Sequence, residues 1–393
     1  MKQMIFCVLW LASVSLPTLA QDDDVLPAGD NAALRYWVAF SYLPQRGDER
    51  YETILDGDEL DIEEARAFLG PENSVGEALD RLDWATQADT CVWAINYEDG
   101  PYALLPHLGP ARTLARLCMM RARLRLHDGD IAGAAEDVLA VMKLGRAFDN
   151  DRLLISSLVG MSIEARAVNF TAEHLSAFDD AAVAQLVAGI AGLPERPALS
   201  EIIQGESDTF IGWLERTLRQ AQADGVVAGD LDSLAAGLGL ADADPAPGQM
   251  DYDQWLAWVD EAKDAYTEAG RVADLPYDAY LEAIGELEAG FESSENKVIS
   301  LFIPSVGAVR SSHDKAHARR AMLQAMLAIR LDDDADLADH PAMQDPFGEG
   351  TFTLILECDE TGQLVYGLRS ALPDRDGGQV ELHTDAPLGV AQP

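Results

Sequence analysis

Cysteine is scarce in this chain, and no two cysteines form a Cys-x-x-Cys pair, so neither a disulfide framework nor a thiolate metal site is written into it. Positive charge is scarce as well. The 28 Lys and Arg residues face 68 Asp and Glu, and the formal net charge of −40 disfavours nucleic acid and anionic membrane surfaces as partners. Beyond residue 20 no apolar run approaches the ~20 residues that a membrane-spanning helix requires. The common signatures of catalysis are missing too. Neither Gly160-Met161-Ser162-Ile163-Glu164 nor Pro304-Ser305-Val306-Gly307 fits the Gly-x-Ser-x-Gly nucleophile elbow, and no phosphate loop is present. His313 and His317 stand one helical turn apart, but the Glu of a His-Glu-x-x-His zinc motif is absent.

What is present begins with an export signal. Residues 1–20 combine Lys2, an apolar run over 4–16 and Thr18-Leu19-Ala20, which reads as a secretory signal peptide cleaved after Ala20. The mature chain is expected to be periplasmic or secreted, with no membrane insertion after cleavage. It would carry 27 basic and 68 acidic residues, a net charge of about −41. Residues 21–29 form an acidic leader. Cys91, Cys118 and Cys358 remain, an odd number that permits one disulfide, and Cys118 reads as core packing.

The chain is organised around residues 104–170. Leu114, Leu117, Cys118, Met120 and Leu124 share one helical face, with Pro110 suited to the first helical position. Asp130 caps a second helix striped by Ile131, Ala135, Val138 and Met142, and a third stripe runs through Leu154, Leu158, Met161, Ala165 and Val168. Helices with such stripes and very short turns must pack antiparallel, since only a neighbour can cover them. The small residues at 132–135 are expected to let two backbones approach. Gly129-Asp130 with Ala134 and Val138 resembles the second half of a tetratricopeptide repeat, but no second copy follows at its period.

Elsewhere, Asp30 or Asn31 caps an opening helix that ends by Pro44, and residues 55–64 hint at an EF-hand or, as the alternative, a helix start. Residues 225–250, rich in Gly, Ala, Asp and Pro, read as a flexible loop. Period-two patterns at 351–357 and 363–368 predict a β-hairpin packed on the preceding long helix and closed by residues 373–378. The expected fold is mainly α: an array of antiparallel helical hairpins with a small C-terminal β-hairpin (α+β) unit. The expected divisions are an N-terminal array at 30–224, the loop at 225–250, further helices at 251–331, and the hairpin unit and tail at 332–393.

The densest group of unusual side chains before the central helices is Trp93, Tyr97, Glu98, Asp99 and His107. These residues are candidates to line a pocket, with His107 as base or ligand and Asp99 orienting it; the alternative is a capping or packed histidine. Over nearly its whole length the chain resembles a group of secreted bacterial helical proteins of unknown function. That likeness is carried by Asn31-Ala32-Ala33, Tyr97-Glu98-Asp99-Gly100-Pro101, Leu104-Leu105-Pro106-His107-Leu108, Gly129-Asp130 and the hairpin. The last fifth is similar to the C-terminal region of the major pseudopilin of type II secretion: a long helix, Asp345-Pro346-Phe347-Gly348, a hairpin with Tyr366-Gly367 and an acidic Gly-Gly ending. That resemblance implies a calcium site at Asp374 and Asp376. The expected function is binding or scaffolding for an envelope or extracellular protein, peptide or polymer. An enzyme with a pocket around residues 93–107 and a calcium-dependent structural protein are the alternatives.

Overall fold

The computed structural model describes residues 30–44, 62–70, 73–227, 231–238, 240, 249–303, 306–332, 340–358, 364–374 and 377–388. The signal peptide, the acidic leader, most of the EF-hand-like stretch and Asp376 lie outside the described residues.

Helix α1 (Ala32–Ser41) is capped by Asn31, whose Oδ1 accepts from the Ala33 N–H at 3.0 Å. The same side chain also bonds both backbone groups of Val92, tying the chain's start to the segment that precedes the central helices. Helices α2 (Ile62–Leu69) and α3 (Ser74–Ala85) follow, and α3 packs on α1.

The central array is α4 (Leu108–Asp128), α5 (Ile131–Arg146), α6 (Leu154–Glu173) and α7 (Asp180–Ala191). Gly129 ends α4 in the left-handed conformation (φ 81°), and one residue later Asp130 caps α5 by accepting from Gly133 N–H. So tight a reversal makes α4 and α5 antiparallel neighbours, as expected. Leu117 and Val138 are fully buried between the helices, and Leu158 is half-buried. Pro110 falls at the third helical position rather than the first, where its missing N–H still costs nothing. Bare backbones meet at Gly145 and Gly160: a Cβ on Gly160 would collide with the Gly145 carbonyl oxygen of the neighbouring helix, while Ala134 and Ala135 are fully buried in the first core.

A second group of helices comprises α8 (Leu199–Ala223), α9 (Asp232–Gly237), α10 (Tyr252–Ala273), α11 (Tyr277–Glu292) and α12 (Lys297–Phe302). Residues 225–250 are not simply a loop. Leu231, Ala235, Leu238, Leu240 and Met250 are buried in the same core as Trp255 and Leu214, because the leucine spacing of this Gly-rich stretch gives it one short apolar face.

Helix α13 (Val306–Arg330) returns to the central array. Its first turns pack in the core of the second group through Val306 and Val309, and residues from Ala318 onward pack in the first core. The C-terminal unit has three strands, one more than the expected hairpin: β1 (Thr353–Cys358), β2 (Leu364–Pro373) and β3 (Gln379–Thr384), all antiparallel in the order β1-β2-β3. Leu368, Val380 and Leu382 seat the sheet on α13 and α6. Asp345 anchors the preceding turn by accepting from Ser370 Oγ at 2.9 Å and from the Phe347 N–H at 3.0 Å. The molecule is therefore mainly α with a small C-terminal β unit. Two apolar cores run through it, one built from residues 32–190 and 318–388, the other from Leu154 and residues 199–309.

Candidate functional site

The group at 93–107 does not open into a cleft. Trp93 and His107 are buried, with ring centroids 4.6 Å apart, and Phe148 and Tyr36 stack on Trp93 at 5.2 and 5.6 Å. The indole N–H donates to the Ala147 carbonyl at 2.9 Å. His107 Nε2 lies 2.8 Å from the carboxylate of Asp151, not beside Asp99 or Glu98, both of which are exposed. Tyr97 also donates to Asp151, and burial, followed by that carboxylate, pushes its phenol above the ordinary range. Residues Tyr97–Tyr102 form a 3-10 turn that packs on Trp213 of α8, and a Cβ on Gly100 (φ 56°) would strike that indole. A tyrosine and a histidine thus converge on one buried carboxylate beneath stacked rings.

At the other expected site, Asp374 forms a close ion pair with Lys315 of α13. Among the described residues no group of three or more His, Cys, Asp and Glu is placed to hold a metal ion. Cys91 and Cys118 are buried free thiols.

A cleft of about 390 Å³ lies where the ends of α5 and α7, residues 193–196 and the middle of α13 meet the flank of α6. Its floor is the buried Glu164. Arg146 donates to one carboxylate oxygen at 3.1 Å and Arg196 to the other at 2.5 Å, while Arg320 Nη1 stands 3.8 Å away, at the outer limit of an ion pair. Arg196 also donates to Asp149 at 2.5 Å, and Arg146 to the Pro194 carbonyl at 3.1 Å. Burial alone would raise the pKa of Glu164, but Arg196, Arg146 and Arg320 together outweigh it and hold the carboxylate below its ordinary value. Asp149 shows the opposite balance: burial exceeds the pull of Arg196 and Arg146 and pushes it up to about 6. His313 and His317 complete the wall from α13, and burial, reinforced by Arg320 and His313, lowers the pKa of His317. The cleft thus holds guanidinium forks already shaped around one carboxylate, with a third arginine and two imidazoles in its wall. No Ser, Thr, Cys or Tyr is among the described residues that line it.

Compared with models of known families, with curated proteins and with solved structures, the chain finds no match. Function must be read from the geometry itself.

The histidine pair and Arg320 were visible in the sequence as a polar stripe, His313, His317, Arg320 and Gln324, along one helix. Their partners were not. Arg146, Glu164 and Arg196 come from three other segments, and nothing local marks them as neighbours of that stripe.

Proposed function

We propose that this is a binding protein whose arginine-lined cleft receives a carboxylate-bearing group of a protein, peptide or envelope polymer. The observation that carries the reading is the arrangement around Glu164: Arg146 and Arg196 are fixed by it, while Arg320 approaches only to 3.8 Å and is therefore available to a second anion. Planar guanidinium groups match carboxylates edge to edge, and two adjacent imidazoles add donors that strengthen when protonated. In a strongly acidic chain, a cleft whose lining sets three arginines against Glu164 and Glu195 repels an approaching anion less than the rest of the surface does. The lack of a hydroxyl or thiol nucleophile in the described lining favours binding over covalent catalysis. Export by the N-terminal leader would bring the cleft to envelope or extracellular partners.

Isothermal titration with succinate tests this. The expected result is one saturable site on the wild type, weakened about tenfold or more in Arg320→Gln, the size of a lost charge-assisted contact. Absent saturation, or equal affinity in the variant, would remove the basis for the proposal.

A further inference from the structure

The arginine-lined cleft has a second, apolar component. Ile190, Ala191, Leu193 and Pro194, from the end of α7 and the turn after it, bring four apolar side chains to the lining, and Ala316 adds a fifth from between the two histidines of α13. Ile190 belongs to the first core and Leu193 packs against it, so that core reaches the surface along this ledge. Ala191 and Pro194 are exposed and Leu193 is half-buried. No Phe, Tyr or Trp is among the described residues lining the cleft, so the ledge offers methyl and methylene groups rather than a flat ring face. The charge of the lining narrows the ligand further. Arg146, Arg196 and Arg320 stand against Glu164 and Glu195, which leaves one positive charge when both imidazoles are counted as neutral. Burial, then Arg320, holds the pKa of His317 down, which keeps that ring from adding charge near neutral pH. A single positive charge is matched by a monoanion, whereas each further negative charge on a ligand meets the two carboxylates of the lining. An aliphatic ledge and a few polar groups in one cleft are the usual make-up of a site for a small amphipathic molecule.

We infer that the group received by this cleft is a monocarboxylate bearing an aliphatic chain, its carboxylate at Arg320 and the histidines and its chain along Ile190, Leu193 and Pro194. This rests on the carboxylate reading of the cleft and narrows it. A polymer carrying many carboxylates meets the charge balance poorly and leaves the ledge uncovered. Two sources share the required chemistry: a short-chain acid, and the end of a peptide whose last residue is aliphatic.

Isothermal titration with acetate, butyrate, hexanoate and succinate is the test, on the wild type, Leu193→Ala and Arg320→Gln. A fully buried methylene tightens binding about fourfold, so roughly fivefold or more is expected for each two-methylene step, with hexanoate tighter than succinate. Leu193→Ala should flatten the series and leave acetate unchanged, while Arg320→Gln should weaken every member by a similar factor. The series is read on the wild type, so it decides the matter even where Leu193→Ala folds poorly. Saturable succinate binding with affinity flat along the series overturns the inference and leaves the carboxylate reading in place. No saturation by any of the four acids removes both. A rise with chain length that is unchanged in both variants puts the acid elsewhere on the protein and also overturns the inference. N-acetylleucine against hexanoate separates the two sources: the former binding tighter identifies a peptide end, the latter a free acid.

Discussion

Glu206 is a carboxylate with an unusual task. It lies buried on α8, and its Oε2 accepts the Leu154 N–H at 2.9 Å, capping α6 from another helix. The bond to Leu154 favours the charged form, but burial is the larger influence and pushes its pKa up to about 7. A carboxyl group whose folded pKa lies above its unfolded value adds stability at low pH, and that contribution is lost as pH rises from about 4.5 through about 7. Glu206→Gln keeps an acceptor for Leu154 and abolishes the titration. The variant should therefore match the wild type in urea unfolding near pH 4 and exceed it at pH 8 by roughly 3 kcal/mol, from about 1.4 kcal/mol per pKa unit. Equal pH profiles for the two proteins would show that another group controls the slope. No feature of the sequence around residue 206 announces this role, because a cap supplied from a distant helix has no local pattern.

Among the elements, legibility followed locality. The turn at Gly129 and Asp130 and the helices on either side could be read from a left-handed glycine, a capping aspartate and the apolar period, all within a few residues of one another. The third strand escaped because Gln379-Val380-Glu381-Leu382-His383-Thr384 is short and has only two apolar residues; its pairing partner Arg369, flanked by Glu357 and Glu381, makes it a strand only in company. The candidate cleft could not be assembled from the sequence for the same reason, since it needs residues from helices distant in the chain. The contact of Gly145 with Gly160 also depends on two elements. Gly160→Ala should raise helix propensity yet destabilise the protein by roughly 1–3 kcal/mol, because the added methyl forces α5 and α6 apart. Chemical denaturation measures it, and a stabilised variant would mean that the two backbones are not held in contact.

For the whole molecule, α13 spans both cores more fully than α6, which reaches the second core through Leu154: Val306 and Val309 of α13 belong to one, and Ala318, Met322 and Met326 to the other. Two cores threaded by continuous helices should unfold together. A proline at the mid-helix position Ser312 costs on the order of 3 kcal/mol and interrupts the coupling. Calorimetry should show one transition for the wild type and two for Ser312→Pro. A single transition in the variant would place the coupling in the other contacts between the cores, such as that of α6 with α8.

The first core also takes its last pieces from residues 318–388, more than 100 positions after its opening helices. A polypeptide threaded out N-terminus first, from a ribosome or across a membrane, must present α4 to α7 with one side uncovered until its final quarter emerges. Completion of this interior thus waits on the tail, and a nascent chain stalled short of it would be a substrate for chaperones rather than a partly working protein.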